Sequence, residues 1–191
     1  KLKGDDAQVV NVMYYEPKDT AQSLLAISHE GYAVRFDVAE VPIAGVRTTG
    51  VRAINLHDDD RMVDLQLVDE DQHLAMVTQR GAFKEMAVAD IKLGARARRG
   101  ELVLHRLKKL PHKLVDFLPY DADYQGAVEI ITDRPLFQDV LITDHHLGTA
   151  HSNGTFVIDT ESQGIPVKLR IKPQLTETAT SEQLDLTDSI S

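Results

Sequence analysis

One pattern, written three times, restricts what this chain can fold into more than any single motif does. Leu24-Leu25-Ala26-Ile27-Ser28 leads to Gly31, then to Val38-Ala39-Glu40-Val41, Gly45 and Gly50. Leu74-Ala75-Met76-Val77-Thr78 leads in the same way to Gly81, Val88-Ala89-Asp90-Ile91, Gly94 and Gly100. Val128-Glu129-Ile130-Ile131-Thr132 leads to Pro135, Ile142-Thr143-Asp144-His145, Gly148 and Gly154. Counted from the hydroxyl residue, the turn residue falls at +3 and the acid at +12 in every copy. One glycine follows at +17, +16 and +16, and the last at +22 each time. A period of about 50 residues signals a solenoid, propeller or array and takes precedence over local readings.

Within a copy, a short apolar run, a tight turn and a second run (33–38, 83–88, 137–142) precede the glycine-marked loop. Later runs at 61–68, 113–118 and 167–172 follow it. No 3.6-residue apolar period is sustained, so the class is all-β. Residues 101–110 could pass for an amphipathic helix, but their counterparts at 51–56 and 155–158 read as strands. The β-rich residues 8–15 read as a strand ending an earlier repeat, within residues 1–22. The expected organisation is a repeat domain over 1–173, with repeats at about 24–69, 73–121 and 126–173. Residues 174–191 are rich in Thr, Ser, Glu and Asp, without aromatics, and read as an acidic disordered tail.

Charge sets one copy apart. The chain carries a formal net charge of −9, yet residues 80–113 hold ten of its 21 Lys and Arg against three acids. Segregation of this kind concerns partners and points to a polyanion. The cations are Arg80, Lys84, Lys92, Arg96, Arg98, Arg99, Arg106, Lys108, Lys109 and Lys113, with Arg47 and Arg52 in the equivalent loop of the first copy. Arginine forks grip phosphate oxygens in pairs, and flanking glycines let backbone N–H groups approach them. The equivalent third loop, 145–151, has no Lys or Arg.

Other chemistries are weakly supported. With no cysteine, thiolate nucleophiles, disulfides and Cys-type zinc sites are excluded. No apolar run is long enough to span a bilayer. The start, Lys-Leu-Lys-Gly-Asp-Asp, lacks Met and a signal-peptide core, and is read as a fragment of a larger cytoplasmic chain. Asp144-His145-His146 and Asp121-Ala122-Asp123 suit a metal phosphoesterase by ligand type, but the alternating helices of such an enzyme are missing. Asp58-Asp59-Asp60 lacks the glycine and closing Glu of a calcium loop. Glu40, Asp90 and Asp144 are expected to brace the loops that follow them.

The repeats resemble those in the A subunits of bacterial type II topoisomerases. The residues carrying the likeness are Gln79-Arg80-Gly81-Ala82-Phe83-Lys84, Gly31-Tyr32-Ala33-Val34-Arg35-Phe36 and Arg96-Ala97-Arg98-Arg99-Gly100, over about residues 8–173. The resemblance implies a β-pinwheel of four-stranded blades that exchange a strand between neighbours, with duplex DNA bent or wrapped on a basic rim. It also implies a parent isomerase, ATP-dependent and cytoplasmic at the nucleoid, that relaxes or decatenates DNA. The fragment would be non-catalytic and hold no cofactor, with ATP and Mg2+ used elsewhere in the enzyme. Its implied partners are duplex DNA, the N-terminal breakage-reunion domain and the ATPase B subunit, and no membrane. The gyrase branch carries a glutamine-arginine-arginine-glycine-glycine-lysine-glycine box, absent here, which favours the topoisomerase IV branch. The alternatives are a gyrase fragment that starts after its box, or a propeller-like protein-interaction module with a basic docking face.

Overall fold

The computed structural model describes residues 7–17, 22–45, 48–57 and 59–173. The expected acidic tail, Arg47 and Asp58 lie outside the described residues. Eleven strands among those described form three antiparallel sheets. In chain order they are β1 (Ser23–Ser28), β2 (Tyr32–Asp37), β3 (Met62–Val68), β4 (His73–Thr78), β5 (Ala82–Ala87), β6 (Glu101–Leu102), β7 (Leu114–Tyr120), β8 (Ala127–Thr132), β9 (Phe137–Leu141), β10 (Thr155–Phe156) and β11 (Pro166–Ile171). A single helical turn, α1, spans Thr160–Gln163.

The repeat offsets are local backbone chemistry. Gly31 and Gly81 donate their N–H to Ser28 and Thr78 O, closing the hairpins at 2.9 Å each. The hydroxyls of Ser28 and Thr78 then accept the N–H of Tyr32 and Ala82, at 3.1 and 3.3 Å. In the third copy Pro135 replaces the glycine, and the single Thr132 hydroxyl proton has the carbonyls of Gln163 (2.8 Å), Arg134 and Leu136 (3.1 Å each) within reach instead. Each acid ends a 3-10 turn, Val38–Glu40, Val88–Asp90 or Ile142–Asp144.

Strand order is β3-β1-β2-β6 in the first blade, β10-β5-β4-β7 in the second and β11-β8-β9 in the third. The outermost strand of the first blade therefore comes from the second repeat, where Tyr32 pairs with Leu102 and Ala33 with Glu101. The third repeat does the same for the second blade, pairing Thr155 with Phe83 and Phe156 with Ala82. Gly100 and Gly154 precede the exchanged strands at φ +82° and +78°. A Cβ on either would lie 2.1 Å from Ala33 O or 2.0 Å from Phe83 O. Only a residue without Cβ permits that approach.

Period-2 alternation stacks the blades. On β4, Leu74 and Met76 join the cluster shared with the first blade, which contains Leu25, Ile27, Leu104 and Phe117. Ala75 and Val77 of the same strand join Phe83, Val128, Ile130 and Leu169 on the third-blade side. A central strand apolar on both faces is what the unalternated runs required.

Two segments depart from expectation. Residues 8–15 form no ladder; they run alongside the first blade, where the Asn11 amide donates to Leu65 O at 3.1 Å and Met13 packs on the apolar face. A strand needs a partner, and β-propensity alone does not supply one. Residues 51–56 also lack a ladder, apart from a parallel bridge between Ile54 and Arg98.

Candidate nucleic-acid interface

The loop of the second repeat is zipped to that of the first. Ala97 N–H donates to Ala53 O at 2.7 Å and Asn55 N–H to Arg98 O at 2.8 Å. Ala97 takes φ +60° here, a left-handed conformation disfavoured for a residue with Cβ. The turn aims alternate arginines differently. Arg96 faces inward, donating from Nε to Glu40 O and from Nη1 to Arg52 O, both at 3.1 Å. Glu40 carboxylate accepts the Arg96 N–H at 3.1 Å, so this acid braces the following repeat's loop. Arg98 and Arg99 face outward and are exposed, as are Arg52 and Lys92.

Past the exchanged strand the chain returns along the same rim with Arg106, Lys108 and Lys109, all exposed. Three surface clefts connect these groups. One is lined by Lys92, Arg98 and Arg99, a second by Arg99 and Arg106, a third by Arg106, Lys108 and Lys113. Shared lining residues make Lys92, Arg98, Arg99, Arg106 and Lys108 one continuous track, with Lys109 next to Lys108 in the chain. Lys92, Arg98, Arg99, Arg106, Lys108 and Lys109 enter no ion pair among the described residues.

Four expected contacts are placed otherwise. Lys84 is buried, with its Nζ donating to the carbonyls of Val103, Thr149 (2.7 Å) and Ser152 (3.0 Å). Burial pushes its ammonium down to about 8, while Asp90 acts to raise it. It staples the second and third repeats and cannot reach a ligand, which corrects its assignment to the surface set. Lys113 is ion-paired with Glu30 and half-buried. Arg80 donates to Leu110 O at 2.9 Å and lies half-buried over the Phe156 ring at 5.4 Å, so its guanidinium is engaged within the protein. Its neighbour His112, bonded to the Thr78 hydroxyl at 3.1 Å, is pushed below the usual imidazole range by burial and then by Arg80. The fourth is Arg96, whose guanidinium is engaged as described.

In the third loop, His145 packs its ring against Phe83 at 5.1 Å. Among the described residues no three His, Asp or Glu side chains gather as a metal site. Sequence reasoning missed Tyr32. Its ring lies under the Arg99 guanidinium at 4.4 Å, and its hydroxyl accepts from Arg99 Nη2 at 2.6 Å. Arg106 approaches the same ring at 5.8 Å. The available signal was an aromatic residue directly after the turn glycine of the copy preceding the basic one.

Residues 22–69 match the family described as "DNA gyrase C-terminal domain, beta-propeller". The chain is 34% identical over 179 residues to the A subunit of DNA topoisomerase 4 from Streptococcus pyogenes serotype M1, covering 85% of this chain and 21% of that protein. To the corresponding protein of Bacillus subtilis (strain 168) it is 31% identical over 163 residues, covering 85% and 20%. It thus spans about a fifth of the length of these relatives. The solved C-terminal domain of DNA topoisomerase IV superposes with a TM-score of 0.74 at 32% identity, over 80% of this chain and 46% of that one. The DNA gyrase A C-terminal domain gives 0.72 at 15% identity, over 89% and 55%, a likeness of fold.

Proposed function

We propose, from the premise that this chain belongs to the family of C-terminal domains found in the A subunits of DNA gyrase and topoisomerase IV, that its second repeat binds duplex DNA through the phosphate backbone. The observation carrying this reading is the run of Lys92, Arg98, Arg99, Arg106 and Lys108 along connected clefts, with Lys109 beside them, all exposed and, among the described residues, in no ion pair, in a chain of net charge −9. An acidic protein that leaves six cations unneutralised on one rim is arranged for a polyanion. Arg52 lies beside the track through Arg96 and extends it onto the first blade.

Phosphate contacts set position without reading bases, so binding is nonspecific and favours DNA that bends easily. Stacked blades present the cations on a rim, and a duplex following that rim bends as it goes. In the parent enzyme this steers a segment toward the breakage-reunion domain of the same polypeptide, biasing which DNA is passed during relaxation or decatenation. The ATPase B subunit supplies the nucleotide cycle, with ATP and Mg2+ bound outside this domain. The setting is the bacterial cytoplasm, at the nucleoid.

The test is a gel shift on random-sequence duplex with a K92E/R98E/K108E/K109E variant, folding checked by circular dichroism. Binding should be lost with the fold intact, and heparin should compete for the wild-type protein. If about 6–10 phosphates are contacted, affinity falls about 10³–10⁵-fold between 50 and 200 mM salt. Unchanged affinity in the variant, or a flat salt response in the wild type, overturns the reading.

A further inference from the structure

Resting on the DNA-binding reading, we propose that Tyr32 is a positioning residue of the interface, supplied by the first blade to hold Arg99 and Arg106 of the second repeat together as a two-cation phosphate contact. Tyr32 opens β2 and pairs in register with Leu102 of the exchanged strand β6. Arg99 lies just before that strand and Arg106 just after it. The exchange therefore brings both guanidiniums to a ring that belongs to another repeat.

Two like charges on exposed side chains would separate in water, where each also keeps its rotamer freedom. Here the π-face attracts both, at 4.4 and 5.8 Å, and the hydroxyl fixes Arg99 by a 2.6 Å hydrogen bond. Pre-ordering a flexible side chain removes part of the cost of ordering it on binding. Among the described residues the acids around the same cleft do not claim these cations. Glu30 is committed to Lys113, and Asp60 accepts the backbone N–H of Glu30 (3.0 Å) and Arg61 (2.9 Å). Neither arginine pairs with Asp59, which also lines the cleft.

The next joint serves as an internal control. The position equivalent to Tyr32 is Ala82, and those flanking β10 are Asn153 and Thr160 in place of Arg99 and Arg106. At these three positions ring and cations are present together in one joint and absent together from the other, where Arg80 instead lies over Phe156 of the exchanged strand.

The experiment measures fluorescence anisotropy of a labelled random-sequence duplex with this chain across a salt series. Y32L should weaken binding about tenfold, as losing two ordered cation contacts implies, and reduce the slope of log affinity against log salt by about 1–2. Y32F keeps the ring and should lose about threefold or less. In an R99Q/R106Q background, Y32L should change affinity by less than about twofold, because the ring acts only through those arginines. Should Y32L fail to fold, Y32F decides alone, weakening the wild-type background but not R99Q. Wild-type affinity and slope in Y32L, or equal weakening by either ring variant in the arginine-less background, overturns the proposal. A wild-type chain without salt-dependent binding overturns the DNA reading and this proposal together.

Discussion

The two joints between blades have the same construction and opposite chemistry. In each, a loop residue bridges β2 or β5 in parallel, Leu93 to Arg35 and Leu147 to Glu85. The following glycine N–H then bonds that residue's carbonyl, Gly94 to Arg35 at 2.9 Å and Gly148 to Glu85 at 2.7 Å. Inside the first joint stand Val34 and a buried Arg35, whose Nη1 donates to Val88 O at 3.2 Å and which pairs with Glu70. Inside the second stand Lys84, on three carbonyls, and Glu85, which burial pushes up to about 7 against the Tyr120 hydroxyl. Outside, the first joint displays Tyr32, Arg99 and Arg106, while the equivalent positions of the second are a buried Ala82 and the half-buried Asn153 and Thr160. The framework thus accepts charge in its interior or on its rim, because the backbone pairing that joins the blades uses neither.

The comparison can be broken most severely at the element the joints share. Gly100→Ala and Gly154→Ala should each cost about 3 kcal/mol, combining a left-handed penalty of about 1–2 kcal/mol with overpacking against a carbonyl. Urea unfolding checks this, and similar losses in both would show that the joints are equivalent in backbone. Lys84→Val makes the second joint's interior resemble the first, which has Val34 there. It leaves the carbonyls of Val103, Thr149 and Ser152 without their donor and should cost about 2–3 kcal/mol. The same change should leave duplex affinity intact, since Lys84 lies off the track.

Acid–base behaviour separates the joints next. Glu85 is raised from 4.5 to about 7, so between those values the native chain holds a proton that the unfolded chain has released. On this account stability falls as pH rises from about 4.5 to 7, and Glu85→Gln should flatten that limb of a Tm-against-pH profile. Lys84 is lowered from 10.5 to about 8, so its contribution rises with pH across that window, a rise that Lys84→Val should remove. The smallest effect is a gain. Writing one rim cation onto the second joint with T160R should tighten duplex binding by up to about threefold and steepen its salt slope by up to about 1.

What could be read from the sequence follows from how far each residue acts. Ser28, Gly31, Thr78 and Gly81 do their work within four residues, so their offsets survive as a pattern. Arg98 was legible as a rim cation because charge on a glycine-flanked loop has little alternative to solvent. Lys84 was misplaced although a cue existed: alternation along β5 puts it on the face of Met86, which is buried. What that face packs against depends on Thr149 and Ser152 from the next repeat, and no local rule supplies them. Tyr32 was missed for the same reason, since its partner Arg99 lies 67 residues away and meets it only after the strand is exchanged. Residues 8–15 show the converse, a β-rich run left without a ladder partner.

The exchanged strand also bears on how such an array could grow. The second and third copies each hand a two-residue strand back to the copy before, so the first and second each accept one from the copy after. Inserting or deleting a whole copy in the interior therefore leaves every remaining sheet complete, provided the cut respects the period. Among the described residues β9 of the third sheet has no counterpart of β6 or β10, and Phe137 on it is 67% exposed. Repeat number is thus free to change by whole copies over evolutionary time, while a change by half a copy would unmake two blades at once.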